Sequence, residues 1–452
     1  MNYGKTTIAS ALCATLAASA AATVPEVSGV SMSQASDRLV TITYTLSDAP
    51  AVVTLDVQTN ANASAAADDP GWASIGGEAV WNAQGDVWKQ VATGNRTITW
   101  RPDLSWPDHK IAASGARAVL TAWALDNTPD YMVVHLDIPG AAPNYYPAAD
   151  YLPKAGYGQA GAAVTDNATY KTTKLLMRKI MAKDITWTMG STTQETLRGS
   201  NEDAHLATLT NNYYIGVFPV TQYQWGLVKA DASQKGYFTA EPAMRPIESV
   251  TFVEIRNAAA FTSADVSAYD WPAAPHGSSF LGLLRSKTGL DFELPSEAQW
   301  EFAARAGNGD GFWGDGSAIL NTTADANLSR IARHGGAETS VLPTTPPAEG
   351  GTAIVGSYAP NAWGIYDMHG NVYEWCLDRY DRNISALGGK LNVNPEAPGS
   401  SFGGDTQNRH VLRGGSWTLT AGPCRSAARD VYGSKGALKN LGFRVVCTAG
   451  LK

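Results

Sequence analysis

A chain of 452 residues is too long for a single hydrophobic core, so its length predicts two or three domains. Its 44% apolar and 17% charged residues are typical of a globular protein, and its 44 glycines, 14 tryptophans and 18 tyrosines favour loop-rich, β-containing architecture over helical bundles. The formal charge of −7, without any long basic run, argues against a nucleic-acid partner and against affinity for anionic membranes.

The first 22 residues have the pattern of an export signal. Lys5 supplies a positive charge, the apolar or small run Thr6–Ala18 follows, and Ser19–Ala22 offers small residues for cleavage before Thr23. The apolar run is shorter than the about 20 residues that a transmembrane helix needs, and an N-terminal anchor is the alternative. We therefore expect an exported chain, secreted, periplasmic or at the cell surface, with no transmembrane segment after cleavage.

Residues 23–140 alternate between short β-type segments and turn-rich stretches. The β-type segments are rich in β-branched and aromatic residues and comprise Leu39–Leu46, Ala51–Val57, Arg96–Trp100, Ala118–Trp123 and Tyr131–His135. This alternation predicts an all-β sandwich of the immunoglobulin or fibronectin type. Because the segment carries no catalytic constellation, we interpret it as an accessory domain. Residues 141–168, rich in Pro, Gly, Ala and Tyr without periodicity, are predicted to be a linker.

Residues 169–452 are predicted to form one α+β domain with much irregular structure. Its clearest helix begins in the segment Leu294–Arg305, where Ser296 and Gln299 have the spacing of a capping box. Gly307 is well placed to end that helix. Trp300 shares one helix face with two alanines that follow it, a pattern suited to packing on a core.

An ordered set of motifs runs through this second domain. In chain order it comprises Met189–Ser191, Asn212–Gln222, Arg245–Phe252, Leu294–Gly307, Phe312–Gly314, Gly364–Trp375, Val411–Trp417, Cys424–Arg429 and Leu441–Val445. These motifs resemble the formylglycine-generating enzyme, or sulfatase-modifying factor, family. The resemblance implies that family's variant of the C-type lectin-like fold. It also implies an oxidase that converts a sulfatase cysteine to formylglycine with copper and oxygen.

The loop from Asp367 to Glu374 predicts a structural calcium site. Calcium prefers six to eight hard oxygens, and the two acidic residues supply charge while Gly370 lets a carbonyl turn inward. In the resembling enzymes, calcium is held by side chains aligned with Asp367 and Glu374 and by carbonyls aligned with Gly370 and Val372. The alternative is that Asp367 and Asn371 only hydrogen-bond a tight turn.

The family's second calcium site would begin at Asn327. Its later ligands should fall between Gly335 and Thr352, where no aspartate occurs. Asn327 is therefore an isolated candidate ligand.

The family's copper site uses two cysteines separated by four residues, because soft thiolates select copper(I). Counting forward from the RGGSW motif places this pair at Leu419 and Cys424, and counting back from the later Ala-Ala-Arg places it at Ser416 and Ala421. One thiol survives on the first count and none on the second. A two-thiolate copper site therefore fails on either count.

Three cysteines remain after signal cleavage, Cys376, Cys424 and Cys447, which allows one disulfide and one free thiol. Cys424 is interpreted either as a disulfide partner of Cys376 or as a buried small hydrophobe, with a lone reactive thiol as the third alternative. His205 and His369 are interpreted as loop or core histidines. The arginines of the last motifs are expected to serve buried hydrogen-bond networks, and they are Arg413, Arg425, Arg429 and Arg444.

Three functions follow from these patterns. The incomplete thiol pair favours a non-catalytic recognition module for a protein, peptide or glycan ligand, with the β-sandwich as presenter or spacer. The resemblance itself favours a formylglycine-generating oxidase, or another oxygen-dependent enzyme of the family. A diversified surface receptor is the third hypothesis, although the stretches after RGGSW are not rich in asparagine as such receptors usually are.

Overall fold

The computed structural model describes residues 24–110, 113–153, 164–195, 198–230, 242–257, 274–321, 323–335, 351–380, 392–393 and 409–448. The predicted signal peptide, residues 1–22, lies outside these ranges. No helix within them is long and apolar enough to cross a bilayer.

The N-terminal part contains eight strands and two single-turn helices. The strands are β1 (Glu26–Gln34), β2 (Val40–Ser47), β3 (Ala51–Thr59), β4 (Ala73–Ser74), β5 (Gln84–Gly85), β6 (Lys89–Val91), β7 (Gly94–Trp100) and β8 (Ala116–Trp123), and the helices are α1 (Gly77–Val80) and α2 (Pro102–Ser105). One antiparallel sheet has the order β1-β2-β7-β5, and the other has the order β4-β3-β6 with β8 also paired to β3.

These two sheets share a core because their strands alternate in polarity. Along β2, every second side chain from Val40 to Leu46 is buried, and Ile42 lies opposite Ile98 of β7 in the register. Both isoleucines pack in one cluster with Leu55 of β3. The β-type segments predicted for residues 39–57 and 96–123 are therefore strands, whereas the immunoglobulin or fibronectin type of the sandwich stays a prediction.

The remaining strands belong to three further sheets. They are β9 (Tyr131–His135), β10 (Asn144–Tyr146), β11 (Lys174–Ile180), β12 (Thr186–Met189), β13 (His205–Thr208), β14 (Tyr213–Gly216), β15 (Phe292–Glu293), β16 (Tyr373–Arg379), β17 (Asn392–Val393), β18 (Arg409–Arg413), β19 (Arg429–Gly433), β20 (Leu441–Gly442) and β21 (Val446–Cys447). The sheet orders are β10-β9-β11-β14-β21-β15, β12-β13-β17 and β19-β18-β16-β20.

Strand β9 has the bounds predicted from the sequence, but its grouping with the N-terminal sheets is wrong. It pairs with β11 over five residues and with β10, which itself lies inside the predicted linker. Strand β9 lies between two cores, so both of its faces are buried. Val133 packs in the core of the N-terminal sheets, while Met132 and Val134 pack in the core of the following domain.

Five α-helices accompany these sheets: α3 (Gln222–Lys229), α4 (Phe252–Arg256), α5 (Phe280–Thr288), α6 (Glu297–Arg305) and α7 (Leu328–Ile331). Helix α6 begins at the predicted capping box, in which Ser296 and Gln299 exchange hydrogen bonds. It ends at Ala306 in the left-handed conformation, with Gly307 directly after it at φ 88°. Trp300 is fully buried, as predicted for the core-facing side of this helix. Together these elements give the predicted α+β class.

Candidate functional site

The loop Ser416–Cys424, called the site loop below, contains both sets of positions that the resemblance assigns to copper. It follows β18 through two glycines, Gly414 and Gly415, which adopt positive φ of 92° and 69°. A Cβ on Gly415 would lie 2.5 Å from the sulfur of Cys424. Glycine therefore lets the backbone of the RGGSW motif rest directly on the thiol.

Cys424 is a buried apolar side chain. It has no exposed surface and packs in a cluster with Trp313, Leu328 and Ala421. Burial raises the pKa of its thiol to about 12, and the backbone N–H of Ser416 offsets that shift only in part. Because thiolate is the form that binds metals and attacks electrophiles, burial disfavours both roles for this residue near neutral pH.

A cluster of hydroxyl and amide groups occupies the start of the site loop. The hydroxyls of Ser416 and Thr418 lie 2.9 Å apart, and the side-chain amide of Asn440 donates to both, at 3.1 and 3.0 Å. Sequence reasoning did not identify Asn440. Its position directly before the Leu441–Val445 motif was the available signal.

The residues present do not fit a two-thiolate copper site. Leu419 is partly buried against the main core and its carbonyl accepts a hydrogen bond from Gly335, so this position contributes no sulfur. The three described cysteines are buried and none forms a disulfide, which excludes the disulfide considered for Cys424 and supports its interpretation as a small hydrophobe. Cys376 and Cys447 lie in other core clusters.

The four arginines of the last motifs bind glutamates in the interior, as predicted from the sequence. Arg413 donates to Glu301 at 2.5 Å and to Glu297 at 3.2 Å, both from helix α6. Arg429 makes a bidentate contact with Glu297 at 2.5 and 2.7 Å. These pairs fix the strands that flank the site loop to the helix beneath them.

Two further arginine pairs complete this network. Arg425 binds Glu202 at 2.7 Å and also contacts Glu195. Arg444 holds both oxygens of Glu374, at 2.6 and 2.7 Å. Because these arginines are committed to internal carboxylates, they are not available to bind a substrate anion.

His369 joins the site loop to the loop that precedes β16. Its Nε2 accepts the backbone N–H of Gly314 at 3.1 Å, which leaves Nδ1–H to donate to the carbonyl of Cys424 at 2.9 Å. Burial lowers the pKa of His369 to about 4, so the ring is neutral and serves as a structural bridge. This confirms its interpretation as a core histidine. His205 is also largely buried, and its Nδ1 lies 2.9 Å from the carbonyl of Asp203.

The predicted calcium loop is tied to the site loop through its backbone. Gly370 donates to the carbonyl of Gly414 at 2.6 Å, and Trp417 donates to the carbonyl of Asn371 at 3.0 Å. A Cβ on Gly370 would lie 2.3 Å from the carbonyl oxygen of Arg333, so this close approach requires glycine. The two loops therefore form one rigid unit.

The four predicted calcium ligands differ in their surroundings. Asp367 is buried and accepts hydrogen bonds from two neutral donors, Gly356 at 2.7 Å and Asn371 at 3.3 Å. Burial raises the pKa of Asp367 to about 6, so a bound cation would stabilise its charged form. Glu374, by contrast, is already neutralised by Arg444 and accepts the indole N–H of Trp300 at 2.7 Å.

The donor set fits calcium in chemistry, with Asp367 as its anionic centre. The described residues hold no group of three His, Cys, Asp or Glu side chains placed to bind a metal. A calcium ion here would therefore depend on backbone carbonyls, such as those of Gly370 and Val372, in addition to Asp367. The hydrogen bond from Asn371 to Asp367 is also what the tight-turn alternative predicts.

Asn327, the isolated candidate for a second calcium site, lies directly before helix α7. Its side-chain amide donates to the carbonyl of Ala318 at 2.8 Å. The later ligand positions fall largely in residues 336–350, outside the described residues. Sequence reasoning missed the neighbouring Asp325, whose carboxylate accepts four backbone N–H groups and holds this loop, from Leu320, Asn321, Asn327 and Leu328.

Comparison with known proteins relates the second domain to a protein family. Residues 177–449 match the family model described as the sulfatase-modifying factor enzyme 1-like domain. The chain is 35% identical over 165 residues to the formylglycine-generating enzyme of Streptomyces coelicolor, covering 35% of this chain and 47% of that protein. It is 30% identical over 151 residues to the serine/threonine-protein kinase pkn1 of Chlamydia pneumoniae, covering 33% and 20%.

Among solved structures, PvdO from Pseudomonas aeruginosa is 22% identical, with a TM-score of 0.45, over 61% of this chain and 94% of that one. The matched segment spans less than half the length of the two relatives named above. The family match, however, covers more than half of the chain. The chain therefore belongs to the sulfatase-modifying factor enzyme 1-like family.

Proposed function

We propose that this chain is an exported, non-catalytic binding protein that uses the family fold to recognise a protein, peptide or glycan. The observation that carries the proposal is the state of Cys424, the one cysteine in the site loop. Its thiol lies against Gly415 with a pKa of about 12, and the site loop contains no second cysteine. The family's oxidation requires two thiolates to hold copper at this position, and the site loop of this chain supplies at most one.

The outer side of the site loop provides the binding face. Trp417 is partly exposed, while Thr418, Leu438 and Lys439 are exposed beside it. The ammonium of Lys439 lies 5.4 Å above the Trp417 ring, which combines a flat apolar surface with a positive charge. Aromatic side chains of this kind dominate binding energy at interfaces, so Trp417 is the expected anchor.

Buried ion pairs support a presenting role for this face. The strands that flank the site loop are fixed to helix α6 by Arg413 and Arg429, and the loop itself is hydrogen-bonded to the Asp367–Glu374 loop. A rigid loop loses little conformational entropy when it binds a ligand. Calcium, if bound at Asp367, would add to this rigidity as a structural cofactor.

A copper(I) titration tests the proposal. The full chain is titrated against a coloured copper(I) chelator, with and without prior alkylation of its thiols, beside a formylglycine-generating enzyme as the positive control. We expect the chelator to keep its copper, and the Cys424→Ser variant to behave as the parent. Stoichiometric copper transfer that Cys424→Ser abolishes would instead favour the family's oxidase activity.

A further inference from the structure

A second concave site lies in the N-terminal sheets, outside the residues that match the family. It is a cavity of about 180 Å³ where the last residues of β1, β3 and β7 meet the segment that follows β7. This volume is smaller than the about 300 Å³ at which pockets for drug-sized ligands begin. The cavity therefore suits one ring of a ligand, with the rest of that ligand outside.

The wall of the cavity includes a flat aromatic platform. The rings of Trp106 and His109 stack with centroids 3.9 Å apart and an angle of 9° between their planes. The indole of Trp100 lies at the same cavity and is fixed by a hydrogen bond from Nε1 to the carbonyl of Ala79 at 2.9 Å. Such surfaces stack on the C–H face of a ring without needing charge.

Polar groups without protein partners surround this platform. The hydroxyls of Ser33 and Thr59, the side-chain oxygen of Gln34 and the indole N–H of Trp106 line the cavity and make no hydrogen bond within the described ranges. They supply both donors and acceptors, from β1, from β3 and from the segment that follows β7.

The lining is also free of fixed charge. Its residues include no Asp, Glu, Lys or Arg, so phosphates, carboxylates and ammonium groups have no counter-charge there. A ligand with one apolar ring face and neutral hydroxyls at its edge satisfies all three features. We propose that this cavity is a binding site for one ring of a neutral saccharide.

The proposal predicts binding of neutral oligosaccharides by the full chain. Isothermal titration calorimetry with maltohexaose, cellohexaose, chitohexaose and mannohexaose should show saturable binding of at least one. The Trp106→Ala variant should weaken that binding about tenfold, the scale of one aromatic contact, while Trp106→Phe should retain most of it. Melting curves of each variant separate lost binding from lost folding.

Trp72→Ala is the matched control, because Trp72 belongs to the same N-terminal region but lies under Arg117 and does not line the cavity. It should bind the saccharide as the parent does. The proposal is overturned by the absence of saturable binding to all four probes. It is equally overturned if Trp106→Ala binds as tightly as the parent, or if Trp72→Ala loses as much affinity as Trp106→Ala.

Discussion

Cys424 lies directly against Gly415, with its sulfur 2.5 Å from where a Cβ of that glycine would stand. The RGGSW motif thus has a packing function that is independent of catalysis. Burial raises the pKa of this thiol, which disfavours the thiolate form that metal binding needs.

The first prediction concerns this contact. Gly415→Ala should lower the free energy of unfolding by about 3 kcal/mol, because it adds a steric overlap to the strain of a positive φ. Gly289→Ala is the control, since Gly289 has a similar φ of 70° but open space around it, and it should cost only about 1 kcal/mol. Urea denaturation measures both. Equal losses in the two variants would show that the contact with Cys424 is unimportant.

The second prediction concerns the Arg444–Glu374 pair. Arg444→Met should destabilise the fold by about 3 to 5 kcal/mol, because it leaves a carboxylate buried without its partner. Arg330 forms an exposed pair with Asp315, so Arg330→Met should cost about 0 to 1 kcal/mol. Urea denaturation at one salt concentration compares the two. An Arg444→Met variant as stable as Arg330→Met would refute the structural assignment of this arginine.

The third prediction concerns pH. His369 has a folded-state pKa of about 4, below its ordinary value of 6.5, so the unfolded chain binds more protons between these values. Stability from this residue is therefore complete above pH 6.5 and is lost as the pH falls towards 4, by about 3 kcal/mol. His369→Gln should reduce the slope of unfolding free energy against pH in this window. An unchanged slope would contradict the neutral bridge between Gly314 and Cys424.

The fourth prediction concerns calcium. Removing calcium with a selective chelator should lower the melting temperature of the parent chain, and readdition should restore it. Asp367→Ala should abolish this response, whereas Asp291→Ala, at a strongly exposed carboxylate, should keep it. A parent melting curve that the chelator leaves unchanged would favour the tight-turn alternative for Asp367 and Asn371.

Local signals in the sequence predicted much of the fold. The Ser296–Gln299 capping box defined the start of helix α6, because such caps depend on residues three positions apart. Their content of β-branched and aromatic residues likewise identified β2 and β9 as strands. The sheet to which β9 belongs was not predictable in this way, since both faces of the strand are buried and periodicity does not name a pairing partner.

The candidate site was only partly predictable, because it depends on contacts between residues that are distant in the sequence. Motif order brought Ser416 and Cys424 into consideration, but the packing of Cys424 against Gly415 required the folded chain. Asn440 and Asp325 act through hydrogen bonds to residues distant in sequence or to backbone groups. No spacing rule reveals such contacts before the chain is folded.

The most direct measurement of the central claim is an aldehyde assay on a sulfatase-type Cys-x-Pro-x-Arg peptide. The peptide is incubated with the full chain in the presence and absence of copper and oxygen, and its mass is followed by mass spectrometry beside a formylglycine-generating enzyme. We predict that the peptide cysteine stays unconverted under every condition in which the control enzyme forms the aldehyde. Copper-dependent formation of the aldehyde by this chain would contradict the account.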